Sequence, residues 1–478
     1  MQLSLARPPV RVGPAAITAA GALAAGLAAG ALTAFAGPLY AFAGLLGLAA
    51  GLVMLSSQRA TLLGFVAVAT LLPYGVAPLP IGGVKPTFID LILSILLLTW
   101  VLRLLARKDA ALVTTPADGP LLAFLGLAVA AFLFGTGYAI TPETTRQYLK
   151  LLNSALFFFT ITQTVRTGDD LRRLLRALVI GGVLAGLIAV ALYHMPPEVA
   201  SSWLRSLGPL GYPRGEVLRY VEDAGVRTTT LRATGTSIDP NVLGALLMLT
   251  GALALPQALA AGRGRAGALY LGALAVVGYG LLISLSRGSW VGFGVAFAIV
   301  ALTRYRRALW ALPAAAAPAL LLFGGALSTY AEHLLKAVYA QDQATGMRLG
   351  EYKDALTLIQ QNPLLGVGFG GTPSSDLYLG VSSTYLMVAE ETGLLGLLTF
   401  LVTLGTVAIA GARAYRRLPE PGKPIALGCL AALGAVLTAA LFDKHFFDLR
   451  YQHISALFWM LAALVILSTR AEPADNRL

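Results

Sequence analysis

Long apolar blocks dominate this chain and limit what it can fold into. Fourteen segments carry mostly apolar residues over lengths near the roughly 20 residues that a helix needs to cross a membrane. The apolar residues do not alternate with polar ones, so the pattern favours transmembrane helices over a β-barrel. The predicted spans are roughly 14–35, 38–56, 60–79, 87–105, 119–137, 147–165, 173–193, 239–259, 266–285, 288–303, 307–328, 384–411, 424–441 and 453–469.

The composition agrees with a membrane protein. Only 12% of the residues are charged, whereas soluble domains carry roughly 25%. We therefore predict an all-α fold, a polytopic transmembrane helix bundle with about 12–14 spans, in which residues 1–478 form a single integral membrane domain. We interpret the first apolar run as a spanning helix and not as a signal peptide that is removed.

The distribution of charge predicts the orientation in the membrane. With the amino terminus in the cytoplasm, 21 of the 35 lysines and arginines fall in inner segments together with seven acidic residues. The outer segments hold 14 cations and 15 acids. By the positive-inside rule, this split predicts a bacterial inner-membrane protein with both termini in the cytoplasm. Because the positive charge lies in the inner loops, we expect membrane lipids as partners and no nucleic acid.

Two predicted outer connections are long. Residues 194–238 form the first periplasmic loop and residues 329–383 the large periplasmic loop. The second contains short amphipathic helical patterns, the clearest of which ends at Asn362-Pro363 and is followed by the glycine-rich turn 366–371. The residues that define this pattern are Leu349, Tyr352, Ala355, Leu356 and Ile359.

Three arginines stand apart at the predicted outer face. Arg232 precedes the eighth span, Arg287 lies in the turn between the ninth and tenth spans, and Arg348 opens the surface helix. A cation at a span end is costly unless it snorkels, pairs or faces water. Arg287 snorkelling to headgroups and Arg348 on a solvated helix face are the structural alternatives. If the three arginines converge, their guanidinium groups would bind a lipid diphosphate and stabilise it as a leaving group.

The sequence predicts neither a metal ion nor a cofactor. No cluster of histidine, cysteine and carboxylate residues has the spacing of a metal site. In the predicted site, arginines would therefore take the place of a metal in neutralising the phosphate groups.

Four short blocks surround the arginines in a fixed order. They are Arg232-Ala-Thr-Gly-Thr-Ser-Ile-Asp-Pro-Asn241; Ser286-Arg287-Gly288; Arg348 with Tyr352, Ala355, Pro363 and Gly366-Val-Gly-Phe-Gly370; and Tyr385-Leu386 with Glu391, Gly393 and Gly396. Together they resemble the O-antigen ligase and O-antigen polymerase family over about residues 225–400.

This resemblance implies a metal-independent glycosyltransferase of the membrane-embedded GT-C type. Such enzymes take a glycan from undecaprenyl diphosphate at the periplasmic face. Ligases transfer it to a lipid A–core sugar, and polymerases transfer it to another lipid-linked glycan. The matching positions imply catalytic roles for Arg232, Arg287, Arg348 and Glu391. They imply substrate binding by Arg232, Arg287, Arg348, Asn241 and Tyr385.

The chain departs from the family at one position. Family ligases carry a His-Asn pair three residues before the Tyr-Leu of the last block, and the histidine is the expected base for the acceptor hydroxyl. Here the pair is Ser382-Ser383, and serine is no base at neutral pH without a partner. A dissociative reaction that needs little base is one alternative. The substitute bases that the sequence offers are Asp376, Glu390, Glu391, His333, His445 and His453.

Two other functions remain open at this point. A many-span protein also suits a transporter, although transporters keep polar sites near the membrane midplane and Asp90 is the clearest charge within a span here. A catalytically inactive relative that binds lipid-linked glycan is the other alternative. Glycan turnover by the purified protein separates the enzyme from the inactive relative, and substrate flux in proteoliposomes tests the transporter.

Overall fold

The computed structural model describes residues 47, 49–77, 85–106, 112–135, 140–223, 226–310, 343–369 and 381–471. The chain divides into two compact units, residues 1–60 and 61–478. In the first unit, residues 49–56 are helical. Apart from the first three residues of the helix Gln58–Leu71, all that follows concerns the second unit. The predicted spans at 14–35 and 307–328, the first entirely and the second nearly so, lie outside the described residues. So do the candidate bases His333 and Asp376.

Helices make up most of the described chain. They are α1 Gln58–Leu71, α2 Phe88–Leu105, α3 Asp118–Phe134, α4 Pro142–Thr164, α5 Gly168–His194, α6 Pro197–Ser206, α7 Pro240–Ala261, α8 Arg265–Ser284, α9 Arg287–Thr303, α10 Gln343–Gln361, α11 Thr384–Arg417, α12 Lys423–Ala439 and α13 Gln452–Leu467.

Six of the described helices are long and apolar enough to cross a membrane. They are α2, α5, α7, α8, α11 and the segment Leu449–Arg470, which contains α13. Four shorter apolar helices, α1, α3, α9 and α12, accompany them. This confirms the predicted all-α, polytopic bundle of a multi-pass membrane protein. The total number of spans stays a prediction.

The start of α7 lies within one residue of the predicted start because local capping sets it, whereas α1 ends eight residues before its predicted end and α11 six residues after. The predicted span 239–259 is α7, which begins at Pro240 directly after the N-cap residue Asp239. The Asp239 carboxylate accepts hydrogen bonds from the amides of Asn241 and Val242, as an N-cap residue does. Proline at the first helical position needs no amide partner. Capping and proline together therefore fix the start of α7.

Two helices form the centre of the bundle. Helix α7 packs against α5, α8, α9 and α12, and 89% of its most apolar window is buried. Helix α13 packs against α4, α11 and α12, and 94% of the Leu449–Arg470 window is buried. By contrast, only 28% of the α8 window is buried. The outer helices therefore present an apolar side outward, as a bilayer requires.

The first long connection holds structure that the sequence did not predict. After α6, strands β1 Arg219–Asp223 and β2 Val226–Arg232 pair as an antiparallel hairpin. The second strand, Val-Arg-Thr-Thr-Thr-Leu-Arg, is rich in β-branched residues that favour extended backbone. The all-α prediction holds for the bundle, and this hairpin is an addition to it.

Helix α10 is present where the amphipathic pattern predicted it, but part of the predicted face was wrong. Ala355, Leu358 and Ile359 are buried. Leu349 and Leu356 are about half exposed, at 49% and 50%. Because α10 packs against α11, the contact selects one turn-to-turn row of residues and leaves the flanking leucines outside it.

Candidate functional site

The amino-terminal ends of α7, α9 and α11 lie at one end of the bundle, joined by a network of contacts. Helix α9 follows α8 through a tight turn in which Leu285 adopts a left-handed φ of 55°. A non-glycine residue in this conformation is strained and is held by its surroundings. Helix amino termini carry partial positive charge and exposed amides, which attract anions. This end of the bundle is therefore suited to a negatively charged ligand.

Arg232 is fixed where the hairpin meets the end of α8. The amide of Ala233 donates to Ile283 O at 2.9 Å, which holds the end of β2 against α8. The Arg232 Nε donates to Ser284 O at 3.1 Å, and its Nη2 donates to Asn241 Oδ1 at 2.8 Å and Leu285 O at 3.3 Å. The guanidinium therefore satisfies free carbonyls at the α8 carboxyl terminus and links them to α7.

The surroundings of Arg232 are strongly polar. Burial lowers the pKa of Arg232 to about 10, while the nearby carboxylates of Asp239 and Asp443 oppose this shift. Arg287 and Arg348 are also close enough to act on Arg232 electrostatically. The structure thus brings together the three arginines that the sequence singled out.

Asp443 lies at the centre of this cluster. Its side chain is buried, and Oδ1 is 3.6 Å from Nη2 of Arg348. Its Oδ2 lies so close to Gly288, at the start of α9, that a Cβ atom there would be 2.5 Å away. Glycine at position 288 therefore allows the carboxylate to approach the α9 amino terminus.

His445 is the second partner of Asp443. Its Nε2 lies 3.8 Å from Asp443 Oδ2, and the residue is 4% exposed. No protein group accepts a hydrogen bond from, or donates one to, this nitrogen among the described residues. Burial raises the pKa of Asp443, and the neighbouring His445 and Arg348 oppose that change.

The start of α11 is bonded to the same segment. The Thr384 amide and hydroxyl donate to Asp443 O at 3.1 Å and 2.8 Å. From α10, Glu351 Oε2 accepts from the Ser382 amide at 2.8 Å, and the Tyr352 hydroxyl lies 3.2 Å from Ser382 O. The backbone before α11, which carries the Ser382-Ser383 pair, is therefore held directly beside Asp443.

Two other predicted site residues lie deeper in the bundle. The Tyr385 hydroxyl donates to Leu437 O of α12 at 2.8 Å, a contact that joins two helices. Glu391 is buried, and its nearest charged neighbours are Glu390 and Asp448. The structure therefore does not bring Glu391 to the three arginines, and its catalytic role stays a prediction.

The glycine-rich segment after α10 fits into a break in α11. Gly393 has φ 72° and ψ −179°, which is not helical. The amides of Val367 and Gly368 donate to Glu390 O and Glu391 O, and the Leu394 amide donates to Pro363 O. The backbone groups that the break leaves without helical partners are satisfied by this segment. Residues 363–368 thus act as a structural brace for α11.

The sequence alone did not identify Asp239 and Asp443 as parts of the site. The only signal was that Asp443 opens the polar run Asp-Lys-His in the last outer connection. Among the described residues, no group of three or more His, Cys, Asp or Glu is placed to hold a metal ion. What the arrangement offers a ligand is three guanidinium groups, helix amino termini and a buried carboxylate beside a histidine.

Part of the chain matches a known protein family. Residues 272–401 match the family model described as O-antigen ligase. The matched segment contains Arg287, Arg348 and the start of α11, whereas Arg232 and Asp443 lie outside it. No curated protein matches the chain.

Proposed function

We propose, from the match of residues 272–401 to the O-antigen ligase family model, that the chain transfers a glycan from a lipid diphosphate to a sugar hydroxyl. The proposed donor is an undecaprenyl-diphosphate-linked glycan, and the proposed acceptor is a lipid A–core sugar or a second lipid-linked glycan. The proposed reaction takes place at the outer membrane face, which the charge distribution predicts to be the periplasmic one.

The observation that carries this proposal is the convergence of the arginines. Strand β2 carries Arg232, α9 carries Arg287 and α10 carries Arg348, and these three side chains form one electrostatic cluster. Guanidinium groups stay charged and bind phosphate oxygens in a fork. The Nη1 group of Arg232 makes none of the three hydrogen bonds that anchor this residue, so it remains available to a ligand.

The proposed chemistry is a substitution at the anomeric carbon of the donor sugar. A bond forms from the acceptor oxygen to this carbon, while the bond from the carbon to the diphosphate oxygen breaks. The electron pair leaves with the diphosphate, and the acceptor hydroxyl loses its proton. The arginines stabilise the charge that grows on the departing diphosphate, which is the electrostatic role that preorganised donors serve in catalysis.

His445, supported by Asp443, is the proposed acceptor of that proton. The carboxylate lies beside the ring and would stabilise the imidazolium that forms. Asp443 also contacts Arg348, so this carboxylate would link the base His445 to the diphosphate cluster. The other titratable groups near the ring are Tyr451 and His453. His453 lies within α13 and has no described polar contact at Nε2.

The experiment is glycan transfer by purified protein in nanodiscs, with a defined lipid-diphosphate-linked oligosaccharide as donor. We expect His445→Asn to bind donor normally but to lose most transfer. Ser382→Ala and Ser383→Ala should keep substantial transfer, because the backbone of Ser382 makes the described contacts. His194→Asn, outside the cluster in an exposed contact with Tyr279, is the matched control.

The outcomes separate the parts of the proposal. Donor binding without transfer by the wild-type protein would identify an inactive, glycan-binding relative. Flux of the donor across proteoliposomes without transfer would identify a transporter. Unchanged transfer in His445→Asn would refute the base assignment alone. Loss of transfer in a serine variant that still binds donor would indicate that Ser382 or Ser383 accepts the proton instead.

A further inference from the structure

A polar cavity lies at the other end of the bundle from the arginine cluster. It has a volume of about 230 Å³ and is lined by parts of α5, α7, α8 and α12. Its polar lining residues are Arg172, Arg176, Gln257 and Tyr270. Tyr270 is fourteen positions before Ser284 on α8, so at 1.5 Å per residue the two ends are about 21 Å apart. The cavity is thus a separate site.

The charge around this cavity favours an anion. Arg172 lies in the second turn of α5 and Arg176 in the third, and Tyr270 lies in the second turn of α8. Pro421 and Ile425 flank the start of α12. The cavity is therefore lined by the amino-terminal parts of α5, α8 and α12 and by Leu253 and Gln257 near the carboxyl end of α7. The two guanidinium groups are the source of its positive charge.

The existing contacts of the arginines leave binding capacity. Arg172 Nη1 pairs with Asp169 at 2.9 Å, and its Nη2 donates to Ala471 O at 3.0 Å. These contacts orient the side chain, which is 23% exposed, while using part of its set of five N–H donors. Arg176 is exposed at the cavity rim. The site therefore has one anchored and one exposed cationic group.

The remaining lining residues are apolar. Leu175 and Leu253 are buried beneath the arginines, and Val179 and Ile425 are half-buried. A free, fully hydrated phosphate gains nothing from such a lining. A phosphate that is attached to a glycerol and acyl chains would place its charge at the arginines and its carbons on these side chains.

We propose that this cavity binds the headgroup phosphate of an anionic phospholipid. The charge distribution of the chain puts this end of the bundle at the cytoplasmic leaflet, where anionic headgroups bind basic pockets between helices. The bound lipid would join α5, α8 and α12. This proposal is independent of the glycan-transfer activity, because it uses none of the residues of the arginine cluster.

The test is native mass spectrometry of the intact protein released from nanodiscs of phosphatidylcholine doped with phosphatidylglycerol. We expect one tightly retained phosphatidylglycerol on the wild-type protein. The double variant Arg172→Gln/Arg176→Gln should retain it at least about tenfold more weakly, since two charge-assisted contacts are lost. The control Arg173→Gln/Arg263→Gln removes two exposed arginines from the same end of the bundle, so it is matched for net charge.

Two further measurements keep the result clear. Arg176→Glu alone reverses the charge at the rim and leaves the Arg172 contacts intact, so its loss of lipid would not be a folding defect. Excess inorganic phosphate is added as a competitor. Equal lipid loss in both double variants, or full retention by Arg176→Glu, would overturn the site. Displacement of the lipid by inorganic phosphate alone would overturn the choice of a lipid as ligand.

Discussion

Arg232 combines a structural and a chemical role in one side chain. It caps the end of α8, it holds Asn241 at the start of α7, and it lies among the charges of the proposed diphosphate site. Arg287 differs because it occupies the first position of α9 and is half-buried. Replacing Arg232 should therefore reduce both stability and activity, whereas replacing Arg287 should affect activity with little effect on folding.

The proposed binding of the diphosphate by Arg232, Arg287 and Arg348, here called the arginine clamp, predicts a specific pattern of kinetic losses. Arg287→Ala should reduce kcat/KM by a factor that corresponds to about 1.5–3 kcal/mol of lost transition-state stabilisation. This is the usual value of one charge-assisted hydrogen bond. Arg287→Lys should rescue poorly, because lysine cannot make the forked contact. The measurement is glycan transfer by purified variants whose thermal unfolding matches that of the wild type.

Arg227 supplies the control for this series. It lies on the same hairpin as Arg232 but is exposed, paired with Glu216 and placed over the ring of Tyr220. Arg227→Ala should leave transfer unchanged. Near-normal turnover in both Arg287 variants would refute the clamp.

Asp443 predicts a pH dependence of stability. Burial raises its pKa above the ordinary value of 3.8, so the folded protein holds this proton more tightly than the unfolded chain does. The resulting stabilisation is complete below the ordinary pKa and is lost as the pH rises through the raised pKa. Asp443→Asn cannot ionise. From about pH 3 upward, thermal unfolding temperatures should therefore fall for the wild type relative to the variant, and a constant difference would contradict this account.

At the scale of elements, the break in α11 sets the geometry beside the site. The helix stops being regular at Gly393, and residues 363–368 fill the gap with their own backbone. A Cβ atom on Gly393 would lie 2.2 Å from Leu364 O. Positive φ and close backbone contact thus both require glycine here. Since the same helix begins at Thr384, beside Asp443, the brace fixes the direction in which α11 leaves the site.

Gly393→Ala should therefore be strongly destabilising. The backbone conformation alone costs about 1–3 kcal/mol for other residues, and the clash with Leu364 O adds to this. Gly405→Ala is the control on the same helix, because a Cβ atom there meets nothing within 4 Å and alanine favours helix by about 1 kcal/mol over glycine. Thermal unfolding in detergent measures both, and equal stability of the two variants would show that the brace is unimportant.

The sequence predicted elements better than it predicted their contacts. The run of apolar residues placed α7 within two residues of its observed ends, because hydropathy is a local signal. The face of α10 was partly wrong, since packing on α11 decided it. Asp443 was missed because it is 204 positions after Asp239 and 95 after Arg348, and no local pattern reveals which loops meet. The three arginines were found only through their resemblance to a family pattern and their place at span ends.

At the scale of the whole molecule, α7 and α8 connect two polar ends. The amino-terminal end of α7 and the carboxyl-terminal end of α8 contact Arg232, and the opposite ends of these helices line the cavity with Gln257 and Tyr270. The charge distribution predicts that these ends face opposite sides of the membrane. Reporter fusions after residues 210, 265, 355 and 478 should read outside, inside, outside and inside. An outside reading at residue 478 would overturn the predicted orientation.

The deep burial of α13 has a consequence for biogenesis. This helix follows all the other described helices along the chain, yet it is the one most enclosed by them. Helices leave the ribosome in order and enter the bilayer before they associate. The earlier helices must therefore leave a gap at the centre of the bundle, filled by lipid or by a chaperone, until α13 inserts. Assembly of the bundle would then finish by insertion of its centre and not by growth outward from it.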